Sequence, residues 1–325
     1  MRIHSEQSYC TTRCDLTSVH NIRLTGIMRI LIVGGTGTIG GHAALHLQSI
    51  GHHVSIAGRH PPPETTALIQ LPYIQGDFVQ DSFTKDHLTG FDAVVFAAGH
   101  DIRHVPEGEN FDQHVLRVNG EAIPQFARLA RDAGVTRFVY IGSFYPRIAE
   151  ESIDSNAYVR SRKLAADGII GLAGEEFVAC VLEAPFIVGV IPGMKTPTFE
   201  AYIRYAKGEL GIPFFGPLGG SNFMSTQSLS EAITGALEHG ESGKAYLLGD
   251  ENLSFASYFQ KFFDAIGNNA TLPSLDQEHP LLPDAVIYSG RGNTVSYEPH
   301  PADVARLGYR RRDVSRAILE IVSLF

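Results

Sequence analysis

The chain has 325 residues, of which 44% are hydrophobic and 19% charged, and this composition is typical of a globular protein of one or two domains. Its 26 basic and 35 acidic residues give a formal net charge of −9, which argues against nucleic acid or an anionic membrane surface as a general partner. No uninterrupted apolar stretch reaches the length of a transmembrane helix. Three cysteines are too few for a disulfide framework, so we expect a reducing, cytoplasmic compartment.

The first 27 residues mix polar, basic and histidine residues and lack the apolar core of a signal peptide. They precede Met28, which opens the first predicted strand, so we expect 1–27 to be a disordered N-terminal extension. Cys10, Cys14 and His20 lie there, but a Cys-x-x-x-Cys pair without a second matched pair is a poor zinc signature. We therefore predict no metal site.

A glycine-rich turn follows the first strand, which is the apolar run at 30–33, and a helical apolar pattern at 43–50 comes after the turn. Glycines let backbone N–H groups approach a pyrophosphate, and the N-terminus of the following helix adds partial positive charge. A strand, a glycine turn and a helix in this order predict a dinucleotide site. The predicted contacts are Gly34, Thr36, Gly37, Thr38, Ile39 and Gly40.

Strands and amphipathic helices alternate through the first two-thirds of the chain, which indicates parallel βαβ units. A helix is predicted over 113–133, with Gly134 capping its C-terminus. The further strands are predicted at 53–57, 73–75, 93–97, 137–141 and 177–182. The fold class is therefore α/β, a Rossmann doubly wound parallel sheet.

Prolines and glycines break the chain into loops and short helices after about residue 190. We assign 28–190 to the Rossmann domain, with a strand near 245–248 returning to the sheet. We assign 191–325 mainly to a smaller C-terminal substrate lobe over the carboxyl edge of that sheet. One C-terminal helix is predicted from 301 to the end, with the arginines at 310–312 on a solvated turn of that helix.

The residues that follow the second strand predict which cofactor binds. An NAD site usually places Asp or Glu about 20 residues past the glycines, but no carboxylate appears here before Glu64. Arg59 can instead pair with the 2′-phosphate of NADP, so we expect NADP rather than NAD; the alternative is a solvated loop cation. Asp77 is predicted either to accept from the adenine amino group or to cap its own turn.

Several segments resemble the short-chain dehydrogenase/reductases, specifically the extended or atypical group that includes NAD(P)-dependent epimerases and dehydratases. The similar segments, spread over about 28–270, are the glycine pattern at 34, 37 and 40, Phe-Ala-Ala-Gly at 96–99, Asn119, Phe-Val-Tyr-Ile-Gly-Ser at 138–143 and Ala-Pro-Phe-Ile-Val-Gly at 184–189. The resemblance implies that Ala97, Ala98, Gly99, Asn119 and Pro185 lie beside the cofactor.

The same resemblance implies that a tyrosine exchanges a proton with the substrate oxygen while hydride moves to or from nicotinamide. A nearby cation favours the phenolate, and a serine hydroxyl hydrogen-bonds the same oxygen. Ser143 and Tyr158 fit these positions. Tyr145 ranks second as the acid/base, because its place before Pro146 argues against a helix there.

The sequence departs from the family's Tyr-x-x-x-Lys motif, because Arg162 stands four residues after Tyr158 and Lys163 stands five after it. In a regular helix the fourth residue lies roughly 40° from the tyrosine and the fifth roughly 140° away. Three alternatives stay open: Arg162 supplies the cation, a helix bulge brings Lys163 round, or the chain binds the cofactor without turnover.

The sequence therefore predicts an NADP-dependent oxidoreductase that reduces a ketone or aldehyde, or oxidises the alcohol, with a small-molecule substrate. The alternatives are a sugar-nucleotide epimerase or dehydratase and a non-catalytic NADP-binding redox sensor. His100, just past the fourth strand, is expected to be a structural hydrogen-bonding residue or to face the nicotinamide or substrate. A homodimer through the helices near 113–133 and 158–172 would be usual for the resembled family.

Overall fold

The computed structural model describes residues 26–325, so the expectations for 1–27 lie outside the described residues except at Gly26 and Ile27. The strands are β1 (Arg29–Val33), β2 (His53–Gly58), β3 (Tyr73–Gln75), β4 (Ala93–Phe96), β5 (Arg137–Ser143), β6 (Val178–Ala184), β7 (Phe186–Val188), β8 (Gly216–Pro217), β9 (Gly220–Ser225), β10 (Lys244–Leu247), β11 (Glu251–Ser254) and β12 (Ser274–Leu275).

The helices are α1 (Thr38–Ser49), α2 (Lys85–Leu88), α3 (Phe111–Val115), α4 (Ile123–Asp132), α5 (Tyr145–Ile148), α6 (Ala157–Ile170), α7 (Pro197–Ala206), α8 (Thr226–His239), α9 (Phe255–Ile266), α10 (Pro301–Leu307) and α11 (Val314–Ser323). A π-helical run over Leu116–Ala122 joins α3 to α4, where the sequence predicts one helix. None of the helices within residues 26–325 is both long and apolar enough to cross a membrane.

Seven parallel strands form the central sheet, in the order β10-β6-β5-β4-β1-β2-β3. The central strands β4 and β5 are buried along their whole length, as a sheet covered on both faces requires. The chain order reverses between β1 and β4, and doubly wound proteins bind ligands at the carboxyl ends of the strands there. The predicted fold class is confirmed.

Helices cover both faces of this sheet. On one face α1 and α8 pack against each other and bury Leu47 and Ile233. On the other face α4 and α6 cover the aromatic side chains of Phe96 and Phe138. The glycine turn directly follows β1, and α6 comes after β5. Both therefore lie on the side of the sheet where the strands end.

A smaller core lies where the chain continues past the carboxyl end of β6. There β7 pairs in parallel with β9, which pairs antiparallel with β11. The helices α7 and α11 both pack against α9, and this core includes Tyr202, Phe259 and Ile318. The interval 191–325 supplies most of this lobe, to which β7 also belongs, and it supplies α8 and β10 to the central layers.

The prediction of a single C-terminal helix is wrong. α10 ends at Gly308, which adopts a left-handed φ of 66°, and α11 begins only at Val314. A glycine in this conformation ends a helix, which explains the break. The arginine run therefore lies in a turn and not on a helix. Arg310 pairs there with Glu231 at 2.6 Å, and Arg311 with Glu298 at 2.8 Å.

Candidate active site

The glycine turn packs closely against neighbouring backbone at Gly34 and Gly40, whereas Gly37 is exposed. Gly34 has a φ of 82°, and a Cβ on it would lie 2.9 Å from the Ala97 carbonyl carbon and the Ala98 nitrogen. A Cβ on Gly40 would collide with the Gly34 carbonyl oxygen. Gly37 is exposed, and it precedes α1 without any side-chain cap on the helix. The first N–H groups of α1 are thus left for a ligand, which fits a pyrophosphate.

The neighbouring predicted contacts flank this turn. Thr38 begins α1, and its Oγ1 donates to Met194 Sδ at 3.4 Å. Ile39 packs against the core on the α1 face of the sheet. Thr36 packs against Gly58, where a Cβ would lie 2.7 Å from its Oγ1. Pro185 is buried between β6 and β7, and its contact with the nicotinamide stays a prediction.

The side chain of Arg59 is exposed, whereas the carboxylate of Asp77 already accepts a hydrogen bond. Arg59 is exposed just after β2, and its backbone oxygen accepts from Gln75 Nε2 at 3.2 Å. Asp77 Oδ1 accepts from the N–H of Val79 at 2.9 Å, so the carboxylate caps its own turn. The adenine contact of Asp77 stays a prediction.

The face of α6 that meets the sheet carries Tyr158 and Arg162. Arg162 is buried, and its Nη2 donates to the Ile141 carbonyl oxygen at 2.8 Å. Its Cζ lies 5.9 Å from the centroid of the Tyr158 ring. The spacing of four residues therefore places the guanidinium beside the phenol, as helix geometry predicts.

The structure does not bring Lys163 to the site. Its Nζ pairs with Asp167 Oδ2 at 2.7 Å, and the side chain is 43% exposed. α6 is a regular α-helix over its whole length, so the bulge that would turn Lys163 inward is absent from it. The π-helical run lies instead in the helix that packs against α6, at Leu116–Ala122.

Arg162 is held as a permanent cation. Burial lowers the pKa of its guanidinium, but the phenols of Tyr140 and Tyr158 and the Asp101 carboxylate raise that pKa above its usual value. Its Nη1 lies so close to Gly99 that no Cβ would fit there. Arg162 Nε is buried without a hydrogen-bond partner among residues 26–325. This unpartnered donor fits a bound group rich in oxygen, such as a cofactor ribose.

Ser143 and Tyr145 follow at the carboxyl end of β5. Ser143 is the last residue of the strand, and its Oγ accepts from the N–H of Tyr145 at 3.4 Å. The expectation that Pro146 prevents a helix is wrong, because Tyr145 begins α5. Proline is tolerated in the first turn, where its missing N–H would have no partner. Burial raises the pKa of the Tyr145 phenol, which disfavours its use as a phenolate base.

Asn119 lies in the π-helical run and fixes the loop after β4. Its Oδ1 accepts from the N–H of His100 at 2.9 Å, and its Nδ2 donates to the His100 carbonyl oxygen at 2.8 Å. The imidazole of His100 bonds His114 at 2.9 Å, and His114 bonds Glu109 at 2.7 Å. Burial, helped by the charges of His104 and Arg59, lowers the pKa of His100 to about 4. His100 is thus a neutral member of a hydrogen-bonded network.

Three or more potential metal ligands do not gather anywhere in the described part of the chain.

Sequence reasoning missed one residue that the fold brings to Tyr158. The ring of Tyr288, from the irregular segment before α10, stacks on the ring of Tyr158 with centroids 4.1 Å apart and an 11° angle between the planes. No periodicity or motif marks Tyr288, because only the tertiary fold brings the two rings together.

Comparison with known proteins identifies the family and the fold of the chain. A family model described as "NAD dependent epimerase/dehydratase family" matches residues 30–249. A curated 3-beta-hydroxysteroid dehydrogenase of Mycolicibacterium neoaurum is 29% identical over 123 residues, which are 37% of this chain and 33% of that protein. The match therefore spans about a third of the length of that relative.

Two solved structures show how widely this fold is shared. WbmG of Bordetella bronchiseptica, solved with NAD, has a TM-score of 0.70 and 18% identity over 93% of this chain and 95% of its own. The human epimerase family protein SDR39U1, solved with NADPH, has a TM-score of 0.62 and 20% identity over 91% and 99%. Likenesses at these identities show the fold alone. The family match covers most of the chain, and the chain belongs to the NAD-dependent epimerase/dehydratase family.

Proposed function

We propose that the protein is an NADP-dependent oxidoreductase that reduces a ketone or aldehyde, or oxidises the corresponding alcohol, with Tyr158 as its acid/base. The observation that carries the proposal is the buried Arg162 guanidinium beside the Tyr158 ring, at 5.9 Å from Cζ to the ring centroid. The name of the curated relative, a hydroxysteroid dehydrogenase, supports the same reaction class.

The glycine turn and the residues after β4 would hold the cofactor. A bound nicotinamide dinucleotide would supply or accept the hydride there. Tyr158 donates a proton to the substrate oxygen during reduction and takes it back during oxidation. Ser143 Oγ hydrogen-bonds the same oxygen, and Arg162 keeps a positive charge beside the Tyr158 ring. Arg162 does not itself relay protons, because a guanidinium keeps its charge at every working pH.

Arg59 is proposed to select NADP. Replacing Arg59 with alanine should weaken NADPH binding by about 10- to 100-fold, because a charge-assisted hydrogen bond is worth about 1.5–3 kcal/mol. NADH has no 2′-phosphate, so its affinity should stay the same. Parallel calorimetric titrations of both nucleotides check this. Equal losses for NADPH and NADH would show that Arg59 acts as a general cation and does not select the cofactor.

An activity screen separates the proposal from its two alternatives. The purified protein, given NADPH and a panel of ketones and aldehydes, should consume the reduced nucleotide in stoichiometric amounts with the alcohol formed. The family name favours one second candidate, an epimerase or dehydratase, which would convert sugar nucleotides without net consumption of the nucleotide. Tight binding without conversion of either panel would support the redox sensor.

A further inference from the structure

A tight turn that enters from the smaller lobe lies against the first turn of α1. It spans Ile191–Met194, and the N–H of Met194 donates to the Ile191 carbonyl oxygen at 2.9 Å. Its two central residues are Pro192 and Gly193, and Gly193 has a left-handed φ of 82°. Proline followed by a glycine of positive φ is typical of a type II turn, and the proline ring fixes part of its shape. The turn is therefore a short, stiff element.

The chain enters this turn by crossing from one core to the other. Val190 is buried in the core of the smaller lobe, and Ile191 is buried in the core on the α1 face of the central sheet. A Cβ on Gly41 would lie 2.8 Å from Ile191 Cδ1 and 2.9 Å from Leu68 Cδ1, so both side chains pack on the first turn of α1. The start of the turn is thus anchored by buried apolar contacts.

Two threonine hydroxyls hold the other end of the turn. Thr65 Oγ1 donates to the Gly193 carbonyl oxygen at 2.6 Å. A Cβ on Gly193 would collide with the Thr65 carbonyl oxygen, so the two backbones are in direct contact. Thr38 Oγ1 donates to Met194 Sδ at 3.4 Å. The turn therefore touches both the loop that follows β2 and the first residue of α1.

Both of these segments belong to the predicted dinucleotide site. The N–H groups at the start of α1 are left for a pyrophosphate, and Arg59, the predicted contact of the 2′-phosphate, lies in the same loop as Thr65. A dinucleotide held at both places runs from one segment to the other. Thr65 and Gly193 are exposed, so their contact lies on the solvent side of the loop and not in a core.

We infer that Thr65 is a positioning residue that holds the Ile191–Met194 turn as a clasp across the bound dinucleotide, so that the nucleotide leaves only after this contact opens. The Thr65 hydroxyl controls the opening, because it links the two exposed backbones. One neutral hydrogen bond is weak enough to break during turnover, and the opening of such loops sets the rate of ligand release in many enzymes. The inference rests on the dinucleotide site of the proposed function and not on its reaction.

The test follows NADPH binding to the full chain without any carbonyl substrate. Rapid mixing of the protein with NADPH gives the association rate, and mixing of the complex with excess NADP⁺ gives the release rate from the fluorescence of bound NADPH. Thr65→Val removes the hydroxyl and keeps the branched shape, Thr65→Ser keeps the hydroxyl, and Gly193→Ala pushes the turn away from Thr65. Thr136→Val is the matched control, because its hydroxyl donates to the Asp92 carbonyl oxygen at 3.0 Å at the opposite edge of the sheet. Urea unfolding of each variant checks the fold.

Thr65→Val should raise the rate of NADPH release by about three- to tenfold, the effect of losing one hydrogen bond. Gly193→Ala should raise it at least as much. The contact joins two protein segments and not the nucleotide, so its loss should speed entry as well as release, and the dissociation constant should change less than either rate. Thr65→Ser and Thr136→Val should stay within about twofold of the wild type in both rates.

Release from Thr65→Val at the wild-type rate would overturn the inference, and so would an equal effect of Thr136→Val. Faster release with unchanged association would show that Thr65 binds the nucleotide directly, which also contradicts a clasp. The measurement needs no turnover, so a protein that reduces no carbonyl compound but shows these rates would contradict the proposed reaction and still support the clasp. Absence of NADPH binding to the folded wild type would contradict both.

Discussion

Replacing Tyr158 with phenylalanine should lower kcat by about 10²- to 10⁴-fold, the range that general acid–base catalysis contributes. The substitution removes the hydroxyl and keeps the ring, so the stack on Tyr288 and the contact with Arg162 persist. NADPH affinity should stay within about twofold of the wild type, a difference of less than about 0.5 kcal/mol. Steady-state kinetics with the best carbonyl substrate, together with a nucleotide titration, measure both effects.

Two further exchanges of tyrosine for phenylalanine serve as controls. Tyr145→Phe tests the second candidate, whose phenol is buried and has a raised pKa, and it should keep most of the activity. Tyr309→Phe removes a remote hydroxyl that donates to the Gly249 carbonyl oxygen at 3.4 Å, and it should be neutral. If Tyr145→Phe abolishes turnover and Tyr158→Phe does not, the assignment of the acid/base is wrong.

Replacing Arg162 with methionine should lower kcat by about 10²- to 10³-fold, as the loss of a charged group beside developing negative charge does in other enzymes. The same change leaves the Ile141 carbonyl oxygen without its donor, so the free energy of unfolding should fall by about 1–3 kcal/mol. Arg162→Lys keeps a positive charge and should restore part of the activity. Kinetics and urea unfolding of both variants separate the catalytic effect from the structural one.

Lys163→Met is the matched control for Arg162→Met, because it removes the neighbouring cation of the same helix. That lysine makes an exposed pair with Asp167, and such pairs contribute about 0.3–0.5 kcal/mol. Activity and stability should both stay near the wild-type values. A large loss of kcat in Lys163→Met, with little change in Arg162→Met, would show that the helix rearranges during the reaction.

The sequence predicted well those features that depend on local spacing. The turn at 34–40 needs glycines at fixed positions, and the apolar run predicted as the fifth strand forms β5, which is buried along its whole length. The sequence left open whether Arg162 or Lys163 lies beside Tyr158, and the structure has the regular-helix alternative, with Arg162 near the phenol and Lys163 paired with Asp167. In each case the geometry of one strand, turn or helix decides the outcome, and neighbours along the chain are enough to specify it.

Features that depend on tertiary contacts were not predicted. The C-terminal helix breaks at Gly308, and the following arginines pair with Glu231 and Glu298, contacts with other parts of the chain that sequence spacing did not indicate. Tyr288 comes from an irregular segment with no periodicity, and its ring meets Tyr158 only through the tertiary fold, where both rings pack against the same cluster of buried residues. Where two distant segments meet, sequence spacing carries no information about the contact.

The central claim is that the glycine turn binds a nicotinamide dinucleotide through its backbone, and calorimetric titration of NADPH tests it most directly. Gly37→Val places a side chain at the exposed mouth of the turn, where the nearest atom to a Cβ would be the Gly34 carbonyl oxygen at 3.5 Å, so the fold should tolerate it. Gly174→Val is the control, because a Cβ there meets nothing within 4 Å. The wild type and Gly174→Val should bind NADPH at one saturable site, and Gly37→Val should bind at least about tenfold more weakly, or about 1.4 kcal/mol. Absence of binding to the folded wild type, or unchanged binding to Gly37→Val, would contradict the claim.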